Sequence, residues 1–161
     1  DRGFPVLNWR NRYVLRRLAF LLLLIGGVGV VSAEAEEPSI FYAEDIKAAM
    51  QVHLDRTLDE EGVFHLVDDV TGEALKLTFM QVHDPVRQMD GDVYFACTDF
   101  HPIGEEDRVY DIDFWLRPVN GELTVFRTKV HKEPRQSLFG WYKHPRYTFV
   151  GDDIEYLYES D

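Results

Sequence analysis

Residues 108–131, RVYDIDFWLRPVNGELTVFRTKVH, contain two runs of alternating residues separated by Val119-Asn120-Gly121. Apolar residues take every second position of the first run, and β-branched and aromatic residues dominate the second run. Alternation of this kind predicts strands with one buried face. We therefore predict a β-hairpin with strands over 108–117 and 122–131, joined by a three-residue loop with Gly121 in the left-handed conformation.

This loop places Pro118 opposite Glu122 and fixes the register of the hairpin. One face then carries the apolar residues Tyr110, Ile112, Phe114 and Leu116. The other face pairs opposite charges, Asp113 with Arg127 and Asp111 with Lys129. Such cross-strand pairs stabilise a sheet by about a few tenths of a kcal/mol each, and a slip of one residue would lose both of them.

Upstream of the hairpin, apolar residues from Ile46 to Leu58 recur at helical spacing and predict one amphipathic helix over residues 40–58. Turn residues then separate three more β-rich segments, at 62–67, 73–83 and 92–100. The predicted fold class is α+β, with an N-terminal helix packed across a five-stranded antiparallel meander. We assign residues 40–149 to a single domain.

The polar face of the predicted sheet carries the first candidate site. If Phe100 lies opposite Tyr110, then Asp99 lies near Asp111 and Cys97 points to the same side. The full set is Cys97, Asp99, Asp111, Asp113, Arg127, Lys129 and His131. This face binds a ligand, or a metal through Cys97, Asp99 and His131, or it is a solvated face of balanced charge.

We favour the solvated face, because the spacing has no local metal signature and the neighbouring cations oppose a metal. No metal or cofactor is therefore assigned, and Cys97 is expected to be structural and unligated. The chain also lacks a CxxCH haem motif, a GxSxG elbow and a glycine-rich phosphate loop. The enzymatic alternative is a small hydrolase or isomerase with Asp99 and Asp113 as an acid pair in a concave pocket.

Residues 18–31, LAFLLLLIGGVGVV, form an uncharged apolar run that follows four arginines and precedes small residues at Val31-Ser32-Ala33. The run is shorter than the roughly 20 residues that span a bilayer, so it predicts a cleavable signal peptide over 1–33 rather than a permanent anchor. Residues 34–39 are acidic and suit a flexible spacer. The domain is then expected to be periplasmic or secreted.

Charge is segregated along the remaining 128 residues, which carry 12 Lys and Arg against 28 Asp and Glu, a net charge of −16. This balance excludes nucleic acid as a general partner. Residues 127–146 nevertheless hold six cations and the single acid Glu133. We predict a partner-binding arm over residues 132–149, with five residues as its contacts: Trp141, Tyr142, Lys143, Arg146 and Tyr147. Alternatively, the arm is an edge strand whose cations are neutralised by an acidic C-terminal tail over 150–161.

A helix followed by an antiparallel meander behind a signal peptide resembles the cystatin-like and PepSY-like small exported domains. The resemblance covers the layout of residues 40–131 and implies an inhibitory or binding module. The chain has no QxVxG wedge loop and no PEPSY-like tetrad, so protease inhibition is not implied. We expect a non-enzymatic exported binding or accessory module that acts on a protein partner or a small ligand, and metal carriage remains a further alternative.

Overall fold

A computed structural model describes residues 40–158. This part of the chain contains one helix, α1 (Ala43–Thr57), and nine strands. The strands are β1 (Val63–Val67), β2 (Ala74–Val82), β3 (Arg87–Gln88), β4 (Tyr94–Pro102), β5 (Tyr110–Val119), β6 (Glu122–Ser137), β7 (Gly140–Pro145), β8 (Tyr147–Val150) and β9 (Asp153–Tyr156). The α+β class is confirmed, but the predicted count of five strands is wrong.

The main sheet is antiparallel and follows the order β1-β2-β4-β5-β6-β7, with the short β3 also paired to β4. Strands β8 and β9 form a separate two-stranded sheet. The five predicted strands correspond to β1, β2, β4, β5 and β6. Strand β9 lies within the segment predicted as an acidic tail. The predicted signal peptide and spacer, and the last three residues of that tail, lie outside the described residues.

The helix covers one face of the sheet, as its apolar spacing predicts. Ile46, Met50 and Leu54 are buried in a core that includes Phe100 and Phe114. The helix begins at Ala43 rather than at residue 40, since the Asp45 carboxylate accepts the Tyr42 N–H at 2.8 Å and caps the first turn.

The register between β4 and β5 is as predicted, with Phe100 opposite Tyr110 and Asp99 opposite Asp111. The predicted register between β5 and β6 is wrong, because Val119 lies opposite Glu122 across a two-residue turn. Asn120 and Gly121 both have positive φ, 53° and 80°, which is the conformation of the tight hairpin turns that favour Asn-Gly. The observed partners are Asp113 with Lys129, Asp111 with Lys132 and Trp115 with Arg127.

Two register shifts interrupt the pairing of β5 with β6, and one of them involves His131. Ile112 lies opposite Val130 and Asp111 lies opposite Lys132, so His131 is an extra residue on β6. A bulge of this kind re-aims a side chain. Here His131 approaches Asp113, while the next residue, Lys132, bonds to Asp111. The side chains of two consecutive residues of β6 therefore lie on the same face of the sheet.

The hairpin of β8 and β9 covers the face of the sheet that lies opposite the helix. Phe149 packs against Phe95 and Trp115, with ring centroids 5.2 Å and 6.4 Å apart, and Tyr147 is buried in the same cluster. We call this side of the sheet the second face. It is apolar around Phe95 and Trp115, and it is charged where Asp111 and Asp113 lie.

Candidate functional site

The candidate site is a set of charged and polar side chains on the second face. We call it the second-face cluster, and it comprises Cys97, Asp99, Asp111, Asp113, His131, Lys132 and Lys143. Asp111 and Asp113 are 0% exposed, and Asp99 is 6% exposed. The predicted solvated face is therefore wrong, because β8 and side chains of β6 and β7 cover these carboxylates.

Asp99 has both carboxylate oxygens paired. Lys143 Nζ lies 2.8 Å from Oδ1, and His83 Nε2 lies 2.8 Å from Oδ2, to which Gln81 also donates at 3.2 Å. Burial alone would raise the pKa of Asp99, but the bonds from Lys143, His83 and Gln81 outweigh it and lower the pKa. Asp99 is therefore a charged carboxylate whose two oxygens are both bonded to neighbouring side chains.

Asp111 is bonded on two sides. Lys132 Nζ donates to Oδ2 at 2.9 Å, and the Cys97 thiol contacts Oδ1. Burial lowers the pKa of Lys132, but the bond to Asp111 more than offsets it, so the net shift is upward. The pKa of Cys97 is raised by burial and by the charges of Asp113 and Asp111. The thiol therefore keeps its proton as long as no cation joins the cluster.

Asp113 differs from its two neighbours because no lysine or arginine among the described residues bonds to it. Tyr147 donates its hydroxyl to Oδ2 at 2.8 Å, while Oδ1 is buried and has no hydrogen-bond partner among the described residues. His131 Nδ1 lies 3.4 Å from Oδ2 but is not aligned for a hydrogen bond, and it too is buried and unpartnered within residues 40–158. Asp113 Oδ1 and His131 Nδ1 are therefore two neighbouring buried polar atoms that each carry a desolvation cost.

These side chains form two groups with the donor chemistry of metal ligands. One ligand atom each from Cys97, Asp111, Asp113 and His131 can be chosen so that all four lie within 4.8 Å of one another. A second group, His83, Asp99 and Asp111, meets the same limit and shares Asp111. Neither group has a local sequence signature. The first group joins β4, β5 and β6, and the second joins β4 and β5 with His83, which follows β2.

The remaining members of the predicted polar face, Arg127 and Lys129, lie outside this cluster. The Arg127 guanidinium stacks over the Trp115 ring, 4.5 Å from its centroid. Lys129 bonds to Asp69 and to the Tyr156 hydroxyl. Within residues 40–158, neither cation forms a salt bridge with Asp111 or Asp113, which corrects both predicted charge pairs.

The predicted partner-binding arm is divided between surface and interior. Arg146 and Tyr147 are 8% and 1% exposed, so they do not form a contact surface. The Arg146 guanidinium bonds to both oxygens of Asp68 at 2.7 Å and also to Glu133. Both cations among the predicted contacts of the arm are thus paired with acids, Lys143 with Asp99 and Arg146 with Asp68 and Glu133.

The turn between β6 and β7 carries the two most exposed large apolar side chains of the described residues. Leu138 is 98% exposed and Phe139 is 99% exposed, while Trp141 and Tyr142 nearby are 39% and 46% exposed. We call Leu138 and Phe139 the hairpin tip. Both residues lie within the arm predicted over 132–149, but Leu138 is not among its predicted contacts, although two consecutive apolar residues between Ser137 and Gly140 are an unusual turn composition that could have marked it.

A groove of about 930 Å³ opens elsewhere on the surface. Its lining is Asp69, Val70, Thr71, Glu133, Arg135, Arg146, Tyr156, Leu157 and Tyr158. The acid pair Asp99 and Asp113 does not line this groove, and both acids are buried. The geometry therefore gives the hydrolase alternative no support, because a substrate must reach a catalytic acid.

No family model, curated protein or solved structure matches the chain. Among the described residues, the only helix is too short and too polar to cross a bilayer. Functional inference therefore rests on the geometry of the hairpin tip and the second-face cluster.

Proposed function

We propose that the protein is an exported, non-enzymatic binding module that contacts a protein partner through the hairpin tip. The observation that carries this proposal is the exposure of Leu138 and Phe139, at 98% and 99%. Side chains of this size recover about 1.5–3 kcal/mol each when they are buried, so a partner that covers both gains substantial free energy. Apolar anchors at the centre of an interface commonly dominate its affinity.

The turn that presents these anchors is internally bonded. The Ser137 hydroxyl donates to the Gly140 carbonyl at 2.9 Å and accepts the Phe139 N–H at 3.1 Å. Gly140 has a φ of 114°, which a side chain would disfavour. A turn that is already ordered loses less conformational entropy on binding than a flexible one.

The surface next to the tip suits a protein partner. Trp141 is held by the Arg108 guanidinium, 4.8 Å from its ring centroid, and still exposes 39% of its surface. The strong net negative charge of residues 34–161 disfavours an anionic membrane surface. A protein with an apolar pocket that accepts two adjacent side chains fits these features.

Export is supported by the apolar run at 18–31 and the small residues at 31–33. We expect the mature chain to begin at Glu34. N-terminal sequencing of protein from the export compartment tests this, and intact residues 1–33 in a membrane fraction would overturn cleavage.

A photo-crosslinking amino acid at Phe139 tests the tip, with the same group at Val67 as the control, since Val67 is also an exposed apolar residue. We expect a crosslinked partner at position 139 that is absent at position 67. Purified wild-type protein should compete for it, and the Leu138→Ser, Phe139→Ser variant should not. The same products at both positions, or equal competition by both proteins, would refute the proposal.

A further inference from the structure

We propose that Cys97, Asp111, Asp113 and His131 form a binding site for a divalent cation of the zinc class. The site joins three neighbouring strands, because Cys97 lies on β4, the two aspartates on β5 and His131 on β6. Thiolate, imidazole and carboxylate are the ligands that zinc uses in proteins. This inference does not depend on the function proposed for the hairpin tip.

The buried, unpartnered atoms of Asp113 and His131 favour binding of a cation. Asp113 is 0% exposed, yet its Oδ1 has no donor within residues 40–158. A buried carboxylate costs several kcal/mol unless it is paired and hydrogen-bonded. Asp113 has one neutral donor, Tyr147, and the His131 ring at a distance of 3.4 Å. A cation bound at Oδ1 would supply the charge that this carboxylate needs.

The ring of His131 is oriented for such a role. Its Nε2 lies 3.2 Å from the main-chain oxygen of Tyr147, which only accepts hydrogen bonds, so Nε2 carries a proton. In the neutral imidazole, Nδ1 then carries a lone pair 3.4 Å from Asp113 Oδ2, and this lone pair is available to a cation. A metal ligand whose other ring nitrogen donates to a carbonyl is the usual arrangement at protein metal sites.

Hydrogen bonds already made by the other acids select this group of ligands over the alternative one. In the group of His83, Asp99 and Asp111, both oxygens of Asp99 are occupied by Lys143, His83 and Gln81. In the proposed site, Asp113 can offer Oδ1 while Tyr147 stays on Oδ2. Asp111 can offer Oδ1 while Lys132 stays on Oδ2. Tyr147 and Lys132 would then orient the two ligands.

The spacing requires a small contraction. Ligand bonds of about 2.0–2.3 Å in a tetrahedral site put neighbouring ligand atoms about 3.3–3.7 Å apart. The four ligand atoms lie within 4.8 Å of one another, so side-chain adjustments of about 1 Å bring them together. Cation binding breaks the S–H bond of Cys97, forms an S–metal bond and releases one proton to solvent.

The charges then balance, which answers the objection that nearby cations oppose a metal. A Cys97 thiolate and two carboxylates supply three negative charges, and a divalent cation with Lys132 supplies three positive charges. Lys143 is engaged with Asp99, outside the ligand set. Bound metal would fix the three strands beneath the β8–β9 hairpin and protect the lone thiol from oxidation.

Titration of the purified protein with Co²⁺ tests the site. Cys97 is the only cysteine of the chain, so a thiolate-to-Co²⁺ charge-transfer band in the near ultraviolet identifies its ligation without any variant. We expect one Co²⁺ per chain, release of about one proton, and displacement by Zn²⁺. Absence of the band at millimolar Co²⁺ would overturn the proposal, as would an NMR spectrum with an imidazolium at His131 that Zn²⁺ leaves unchanged.

Variants sharpen the assignment. Asp113→Asn and His131→Gln should weaken Co²⁺ binding by about 10- to 100-fold or more. The matched control is His83→Gln, since His83 contacts Asp99 on the same face but is not a proposed ligand. Unchanged affinity in folded Asp113→Asn and His131→Gln, or an equal loss in His83→Gln, would refute this ligand set.

Discussion

The interior of this domain and its hairpin tip distribute charge and apolar surface in opposite ways. Among residues 40–158, five charged residues are buried, and we call them the charged interior: Asp68, Asp99, Asp111, Asp113 and Arg146. Leu138 and Phe139 at the hairpin tip are almost fully exposed. Charged residues are seldom buried without a partner, and two adjacent large apolar side chains are seldom left in water.

The two regions differ in whether neighbouring residues offset the free-energy cost of their unusual burial or exposure. In the charged interior, cationic side chains offset the desolvation of Asp68, Asp99 and Asp111. Of its four aspartates, only Asp113 has no lysine or arginine bonded to it within the described part of the chain. At the hairpin tip nothing in the described chain covers Leu138 or Phe139. Buried charges and exposed apolar side chains indicate a binding site where neighbouring residues do not offset their cost. In the described chain, Asp113 and the hairpin tip are two places where this holds.

The largest effect should come from breaking the charged interior at Arg146. Replacement of Arg146 by Met leaves Asp68, which is 2% exposed, as an unpaired buried anion and should reduce the free energy of unfolding by about 3–5 kcal/mol. Urea unfolding measures this. The control is Arg135→Met, because Arg135 bonds to the same Glu133 but its side chain is 51% exposed, and we expect about 0–1 kcal/mol.

Addition of Asp68→Leu to Arg146→Met should restore part of the loss, because the stranded carboxylate is removed. Equal destabilisation by Arg135→Met and Arg146→Met would show that burial does not distinguish the two ion pairs.

Acid should weaken the charged interior next. Burial raises the pKa of Asp68, but hydrogen bonds from Arg146 and from the Val70 and Thr71 N–H groups outweigh it and lower the pKa to about 2. The folded state thus holds this proton less tightly than the unfolded state, so the stabilisation is complete above about pH 4 and disappears as the pH falls towards 2.

The slope for this one group is at most about 1.4 kcal/mol per pH unit, and urea unfolding at a series of pH values measures it. The double variant Asp68→Leu, Arg146→Met should show a shallower acid slope than wild type. An identical slope in both proteins would assign the acid sensitivity to other carboxylates, such as Asp99 and Glu133, whose pKa values are also lowered.

Much of the fold could be predicted from local patterns, while the site depended on features that those patterns do not encode. The apolar spacing of Ile46, Met50 and Leu54 located the helix, and pairing Phe100 with Tyr110 placed Asp99 beside Asp111. The register of β6 failed because the Asn-Gly turn has two residues rather than three and because β6 contains bulges. A bulge is stabilised by tertiary contacts, so alternation alone does not reveal it.

The covering hairpin of β8 and β9 was also missed, although its signal is present. Residues 147–156 alternate Tyr147, Phe149, Ile154 and Tyr156 around a Gly-Asp turn, which is a strand–turn–strand pattern. The acidic residues around Ile154 favoured a tail instead. Without this covering hairpin, the charged face of the sheet was predicted to be solvated, whereas it is buried.

Cys97 should give a smaller effect that depends on metal. With EDTA present, Cys97→Ser should cost about 1 kcal/mol of unfolding free energy, because a packed thiol is replaced by a hydroxyl. Cys97→Ala separates the loss of volume from the added polarity. With saturating Zn²⁺ the gap between wild type and Cys97→Ser should widen, since only the wild-type protein gains binding free energy through the thiolate. Thermal unfolding with and without Zn²⁺ measures this, and a gap that Zn²⁺ leaves unchanged would argue against ligation by Cys97.

The smallest effect on stability should come from the hairpin tip. Leu138 and Phe139 have almost their whole surface in water, so Leu138→Ser and Phe139→Ser together should change the free energy of unfolding by less than about 0.5 kcal/mol. The turn should persist because the Ser137 hydroxyl still bonds to Gly140 and to the backbone of residue 139. The same double change should abolish partner crosslinking, since burial of these two side chains is the proposed source of affinity. Urea unfolding and crosslinking on one protein preparation measure both quantities. A loss of several kcal/mol in stability would mean that the tip packs within the domain, and the contrast with the charged interior would then fail.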